Sequence, residues 1–360
     1  MTLWQPARDV LCRGIADRAF PGAAFGVWHD GANVTVDAVG KFTYAADSPA
    51  VTHDTIFDVA SLTKVVATTA LCMRLWQRDA LPLDQPVVEL VPAFAQGDSR
   101  KSSVTLKMLL AHTSGLPAHR KLYELPDAAG AASSEAQAAA AKAACLAMPL
   151  DVDPGTRAEY SDIGFVVLGE ALLQLTNATN LQNACAEEIF DSLPLSETRF
   201  LPPESWRARV APTREWTWRH RVLQGEVQDE NCALLGGIAG HAGVFSTCRD
   251  LLRFGAAVCS PKAFFDQRTV DLFSTRVSGS RALGWDTPSA PSQSGKYFSP
   301  HSIGHLGYTG TSLWIDLERR IVITLLTNRV YTQHGPPNQL IQQVRPAFHD
   351  AVMETLGVTK

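Results

Sequence analysis

The alternation of apolar and polar positions predicts strands at both ends of the chain and helices between them. Near the start, Ala24-Phe25-Gly26-Val27-Trp28 and Val34-Thr35-Val36 read as strands around Asp30-Gly31, a pair suited to a hairpin turn. Near the end, Ser312 to Ile315 and Ile321 to Leu326 flank the polar stretch Asp316 to Arg320. A terminal helix is expected over 338–356, kinked or interrupted at Pro346, which lacks a backbone donor. The middle reads as mostly helical with loops. Ser134 and Gln137 make a capping box before an alanine-rich run that ends near Met148. Strands at both ends imply one sheet shared by the two termini. The expected organisation is an α/β domain from 1–74 and 281–360, interrupted by a mainly helical domain over 75–280. No internal repeat or long Gly/Ser/Pro linker separates independent halves.

Candidate chemistry begins at Phe57-Asp58-Val59-Ala60-Ser61-Leu62-Thr63-Lys64-Val65-Val66. Apolar positions 62, 65, 66, 69, 72, 73 and 76 follow helical spacing, so a buried helix is expected to start near Ser61. Ser61 and Lys64, three apart on a first turn, share one face. The hydroxyl then sits where unpaired backbone N–H groups point outward. A serine hydroxyl needs a base to act as nucleophile, and lysine serves only if burial lowers its pKa. Alone, the S-x-x-K spacing reads equally well as a helix cap followed by a solvated lysine.

Three further segments change that balance. Thr105 to Leu116 reads as a capped helix ending in a tight loop that carries His112. Pro154 to Gly164 contains Tyr160-Ser161-Asp162 and leads into an apolar helix over 165–175. Gly304-His305-Leu306-Gly307-Tyr308-Thr309-Gly310 precedes the strand near Ser312. Taken singly, these are ordinary helix–loop junctions and a glycine-rich turn. In this order and spacing they resemble the serine hydrolases of the class C β-lactamase-like group, over about residues 16 to 330. That group includes penicillin-binding-protein-like D-alanyl-D-alanine peptidases and serine esterases. The stretch 225–231 followed by 236–243 resembles a subgroup known only as serine hydrolases.

The resemblance implies a β-lactamase/transpeptidase-like α/β fold, with a mixed, mainly antiparallel sheet flanked by helices and an inserted helical domain. It implies Ser61 as the acylated nucleophile, with Lys64 and Tyr160 handling its proton; which of the two is the base stays open, and the pair can titrate as a unit. Backbone N–H groups of Ser61 and Tyr308 would form the oxyanion hole. Asp162, His305 and Gly307 fall at substrate-binding positions. Two of these depart from the pattern. Asp162 stands where asparagine is usual, and His305 where the third motif usually offers the lysine that helps bind substrate carboxylates. Histidine is only partly charged near pH 7, and the aspartate adds a negative charge able to pair with Lys64. Both changes weaken an anion pocket, so small neutral esters are expected ahead of β-lactams. A D-amino-acid peptidase or amidase, a β-lactamase, and a non-catalytic binding or sensor protein of this fold remain alternatives.

Composition narrows the partners to a small-molecule substrate. The 360 residues are 46% hydrophobic, and 32 basic against 36 acidic side chains leave a net charge of −4. Nucleic acid would want a basic stripe, and no apolar run is long enough to span a membrane. Seven cysteines with no CxxC pair suggest scattered thiols in a reducing compartment. The charged first twenty residues read as a mature helix rather than a leader, giving a cytoplasmic expectation. No metal or cofactor is expected: His301 and His305 sit four apart beside Gly304, and no HExxH or G-x-S-x-G occurs. His112 is expected to anchor a loop, and Trp216 and Trp218 to pack. The oligomeric state stays open.

Overall fold

A computed structural model describes residues 3–30, 34–124, 135–261, 264–331 and 338–359. Its centre is a five-stranded sheet drawn from both chain ends. The strands are β1 (Gly22–His29), β2 (Thr35–Gly40), β3 (Ser302–Leu306), β4 (Ser312–Asp316) and β5 (Ile321–Thr327), in the order β2-β1-β5-β4-β3. Every neighbouring pair is antiparallel, so this sheet is antiparallel throughout rather than mixed. β5 is buried along its whole length because both its faces are covered. The helices Gln5–Ala16 and Asn338–Thr355 pack together on one face, where Leu11, Phe25 and Phe348 lie in one core. The helix Cys248–Cys259 covers the other face of β1 and β5. Its sequence lies inside the stretch 75–280, yet it packs on the sheet. Gly26 and Gly255 give it room: a Cβ at Gly255 would come within 2.4 Å of Val322.

Two expectations change in detail. β3, which the sequence read as a glycine-rich turn, is a strand paired to β4. The terminal helix is not interrupted at Pro346, one of the two outcomes expected there. Proline there leaves the Gln342 carbonyl without its usual helical donor, and Gln293 Nε2 donates to that carbonyl at 3.1 Å. The Asp30-Gly31 turn falls partly, and the Ser134 cap wholly, outside the described residues; the alanine-rich helix itself spans Glu135–Ala147.

All seven cysteines are free thiols, six buried and Cys12 exposed. Among the described residues, no helix is long and apolar enough to cross a membrane, and no cluster of His, Cys, Asp or Glu is placed to hold a metal ion.

Candidate active site

The helix that carries Ser61 starts under strain and is fastened on several sides. Ala60 has φ 48°, a left-handed conformation that L residues avoid unless surroundings enforce it. Asp58 enforces it in part: one carboxylate oxygen accepts the Ala60 N–H at 2.8 Å and the other the Gln228 N–H at 2.6 Å. The helix then proceeds through a 3-10 turn at Ala60–Leu62, a wide π-type stretch at Lys64–Thr69 and a regular segment at Ala70–Gln77. In the wide stretch, Thr68 Oγ1 donates to the Gly240 carbonyl at 2.7 Å, tying this helix to the glycine-rich segment 236–243.

Ser61, Lys64 and Tyr160 meet at one oxygen. Lys64 Nζ donates to Ser61 Oγ at 3.0 Å, and Tyr160 Oη does so at 2.9 Å. Lys64 is fully buried and also donates to Asp162 Oδ1 at 2.7 Å and the His241 carbonyl at 3.0 Å. Three acceptors match the three donors of an ammonium, so the resting arrangement holds Lys64 protonated. Burial nevertheless lowers its pKa, with the Asp162 charge opposing. Burial also drives the Tyr160 phenol well above its usual value, and the Asp162 charge adds to that. Asp162 itself is raised by burial, but Lys64, His119 and His241 outweigh this and hold it well below the carboxylate range.

The loop expected to be anchored by His112 is so anchored. His112 Nδ1 accepts the Ser161 N–H at 3.0 Å, and its ring lies 4.9 Å from that of Tyr160. Ser161 Oγ accepts the Gly164 N–H at 2.9 Å, capping the helix Asp162–Thr176. Tyr160 and Asp162 are thereby fixed at a helix entrance, facing Lys64. Trp216 and Trp218 are not among the residues that line the cleft.

The opposite wall is the turn between β3 and β4. Thr309 Oγ1 donates to the Asp58 carbonyl at 2.8 Å and Thr311 Oγ1 to the Val59 carbonyl at 3.0 Å. These two bonds fasten the turn that carries Tyr308 to the segment just before Ser61, and both Tyr308 and Ser61 line the cleft. Only glycine fits at 307, since a Cβ there would stand 2.0 Å from Thr311 Oγ1 and 2.6 Å from the Val59 carbonyl. From behind, Arg345 Nη2 donates to the Gly307 carbonyl at 2.5 Å and the Thr311 carbonyl at 3.0 Å. His305 is buried, with its ring 5.9 Å from that of Tyr160. Burial and the charges of Lys64 and Arg281 push it down to about 3, so it is neutral near pH 7 rather than partly charged.

Between the walls lies a cavity of about 590 Å³, which Ser61, Tyr160, Asp162, His305, Gly307 and Tyr308 all line. Every residue proposed from sequence is at this cleft or, like Lys64, directly beneath it. Others there had no assigned role. Arg281 sits 5.3 Å over the Tyr160 ring and pairs with Asp286. His119 lies 3.5 Å from the second Asp162 oxygen, and this contact, together with the Asp162 charge, raises the His119 pKa against burial. Asp229 lies 2.9 Å from His241 Nε2. Asp229 and His241 belong to the stretches 225–231 and 236–243 that stood out in sequence. Arg281 and His119 carried no local pattern.

The sequence model described as "Beta-lactamase" matches residues 7–344. An N-acetylmuramyl-L-alanine amidase of Bacillus subtilis (strain 168) is 31% identical over 354 residues, covering 89% of this chain and 80% of the relative. A putative D-alanyl-D-alanine carboxypeptidase of Escherichia coli (strain K12) is 29% identical, covering 80% and 72%. Among solved structures, the fold is shared with EstCE1, a hydrolase with promiscuous acyltransferase activity (TM-score 0.76, 20% identity, 96% and 98% covered). It is also shared with a penicillin-binding-protein homologue from Caulobacter crescentus (TM-score 0.75, 20% identity, 99% and 98% covered). Fold, sequence and relatives agree: this chain belongs to the beta-lactamase family of serine hydrolases.

Proposed function

We propose that the protein cleaves esters or amides through an acyl-enzyme on Ser61. The observation that carries this reading is the convergence of Lys64 Nζ and Tyr160 Oη on Ser61 Oγ. One proton has to leave the trio before Ser61 can attack. Burial lowers Lys64 and raises Tyr160, so that proton comes from Lys64, and the neutral amine is the base. Ser61 Oγ then bonds to the substrate carbonyl carbon and passes its proton to Lys64. The oxyanion is held by the backbone N–H groups of Ser61 and Tyr308. Tyr160, still a phenol, protonates the departing group as its bond to carbon breaks, and it recovers a proton from Lys64. Water enters by the reverse relay and frees the acid.

The neutral His305 supports weak turnover of β-lactams. The arginines at the cleft weigh against restricting the substrate to small neutral esters. A second reading, hydrolysis of cell-wall amides or peptides, is favoured by the names of the relatives found above. Fluorophosphonate labelling followed by intact mass spectrometry tests the acyl-enzyme: the wild type gains one adduct, and Ser61→Ala gains none while remaining folded. Turnover of p-nitrophenyl butyrate should fall by about a thousandfold or more in Ser61→Ala. Retained turnover places the nucleophile elsewhere. Nitrocefin hydrolysis much faster than p-nitrophenyl butyrate hydrolysis would reverse the substrate preference.

A further inference from the structure

The loop at residues 117–119 delivers a second cation to Asp162. Ser161 Oγ donates to the Pro117 carbonyl at 2.7 Å and the Asp162 N–H to the Ala118 carbonyl at 2.8 Å, which lays this loop against the entrance of the helix Asp162–Thr176. Asn231 holds the next residues: its Nδ2 donates to the Arg120 carbonyl at 2.7 Å, and its Oδ1 accepts the Leu122 N–H at 3.0 Å. His119 Nδ1 is thereby set 3.5 Å from Asp162 Oδ2, while Lys64 Nζ lies 2.7 Å from Oδ1. Among the described residues, these are the two cations within ion-pair distance of Asp162. They differ in reach: the Lys64 side chain is 0% exposed, and that of His119 is 42% exposed at the cleft. The Asp162 charge holds the proton on Lys64, and a carboxylate that also faces a second cation holds it less firmly. Contact with Asp162 raises the His119 pKa above that of an ordinary histidine, so His119 is charged in mildly acidic solution. Other charged groups act on the trio as well. Asp229 and Glu230 face His119, Asp229 and Arg281 act on Lys64, and His241 acts on Asp162. Arg120, next in the chain, pairs with Asp151. His112 and His305, which also feel Lys64, are kept neutral by burial.

We propose that His119 is a positioning residue that offsets the charge of Asp162, so that Lys64 can give up its proton and serve as the base. This role rests on the acyl-enzyme reading above, with Lys64 as the base, and deepens it. Asp162 and His119 then work as one unit. The aspartate aims the Lys64 amine at Ser61, and the histidine keeps the aspartate from holding the amine in its charged form. His119 acts through its field alone. Both Asp162 oxygens accept, so no proton passes along the trio.

The rate at which a fluorophosphonate labels Ser61, followed from acidic to neutral pH, tests this whatever the substrate. In the wild type the rate is expected to rise as Lys64 loses its proton. His119→Gln removes the second charge. It should move that rise to higher pH and slow labelling at the acid end by about two- to fivefold, the worth of a half-exposed ion pair. His119→Lys, which returns a charge, should bring the rise back toward its wild-type position. In an Asp162→Asn background, His119→Gln should move the rise little or not at all, because the carboxylate between the two groups has lost its charge. A His119→Gln profile that stays in place, moves to lower pH, or drops by the same factor at every pH overturns the proposal. So does an equal shift in the Asp162→Asn background, or a His119→Lys profile that coincides with that of His119→Gln. If Asp162→Asn does not fold, His119→Gln and His119→Lys decide between them. Labelled Ser61 whose profile ignores His119 removes this role alone, and a wild type that takes no label removes the acyl-enzyme and this role with it.

Discussion

The two walls of the cleft treat charge in opposite ways. On the wall around Ser61, Lys64 meets Asp162 and Asp229 meets His241. On the wall of the β3–β4 turn, Arg345 directs its bonds to three backbone carbonyls and meets no carboxylate among the described residues. In the proposed mechanism the first arrangement passes a proton among groups held at fixed distances, and stray charge there would upset its balance. The second holds a backbone rigid so that one N–H keeps its aim.

Substitutions on each wall can break this contrast. Gly307→Ala should have the largest effect. Its methyl would collide with the Val59 carbonyl, a backbone atom that cannot step aside cheaply. The turn has to shift, Tyr308 N–H loses its aim, and kcat should fall by about 10²-fold or more with little change in KM. Steady-state kinetics checks it, and an unchanged kcat would mean the turn plays no part in catalysis.

Asp162→Asn probes the other wall through its pH dependence. The Asp162 charge raises Lys64 against the larger lowering by burial. Removing that charge lets Lys64 lose its proton at lower pH. The acid limb of the kcat/KM profile, which rises as the amine becomes neutral, should therefore move to lower pH. A shift upward, or no shift, would mean that Lys64 is not the titrating base.

The smallest effect is expected at Gln293→Ala, which takes the donor away from the Gln342 carbonyl freed by Pro346. Denaturant melts should show a loss of about 0.5–1 kcal/mol, because water can reach this exposed carbonyl in place of the side chain. The position is remote from the proton relay, so kcat should hold.

These walls differed as much in how readable they were. Ser61 and Lys64 were legible because residues three apart on a helix share a face, and Tyr160 because its motif leads into a strongly apolar helix. The pairing of Asp162 with Lys64 also followed from the charge that Asp162 brings to an asparagine position. The sheet was visible in the alternation of β1 and in the apolar runs of β4 and β5. β3 was hidden, because glycines at 304 and 307 look like a turn when the close approaches of Trp314 and Val59 cannot be seen. The charge state of His305 was also hidden. Type and position suggest a partial charge, but burial decides it, and burial depends on the whole fold. Arg281 and Arg345 were illegible for the same reason. Arg281 lies over the Tyr160 ring, 121 residues away in the chain, and Arg345 reaches the β3–β4 turn, so no local spacing marks either as part of the cleft.

One consequence of a sheet drawn from both chain ends concerns time rather than space. During synthesis the Ser61 helix emerges 247 residues before the turn bonded to it, counting from Ser61 to Tyr308. β1 cannot gain its neighbour β5 until Thr327 is made. On the proposed mechanism, the nascent chain therefore carries its nucleophile long before it carries an oxyanion hole, and such long-range closure is slow. Reactivity arrives last, together with the strands that make the molecule stable.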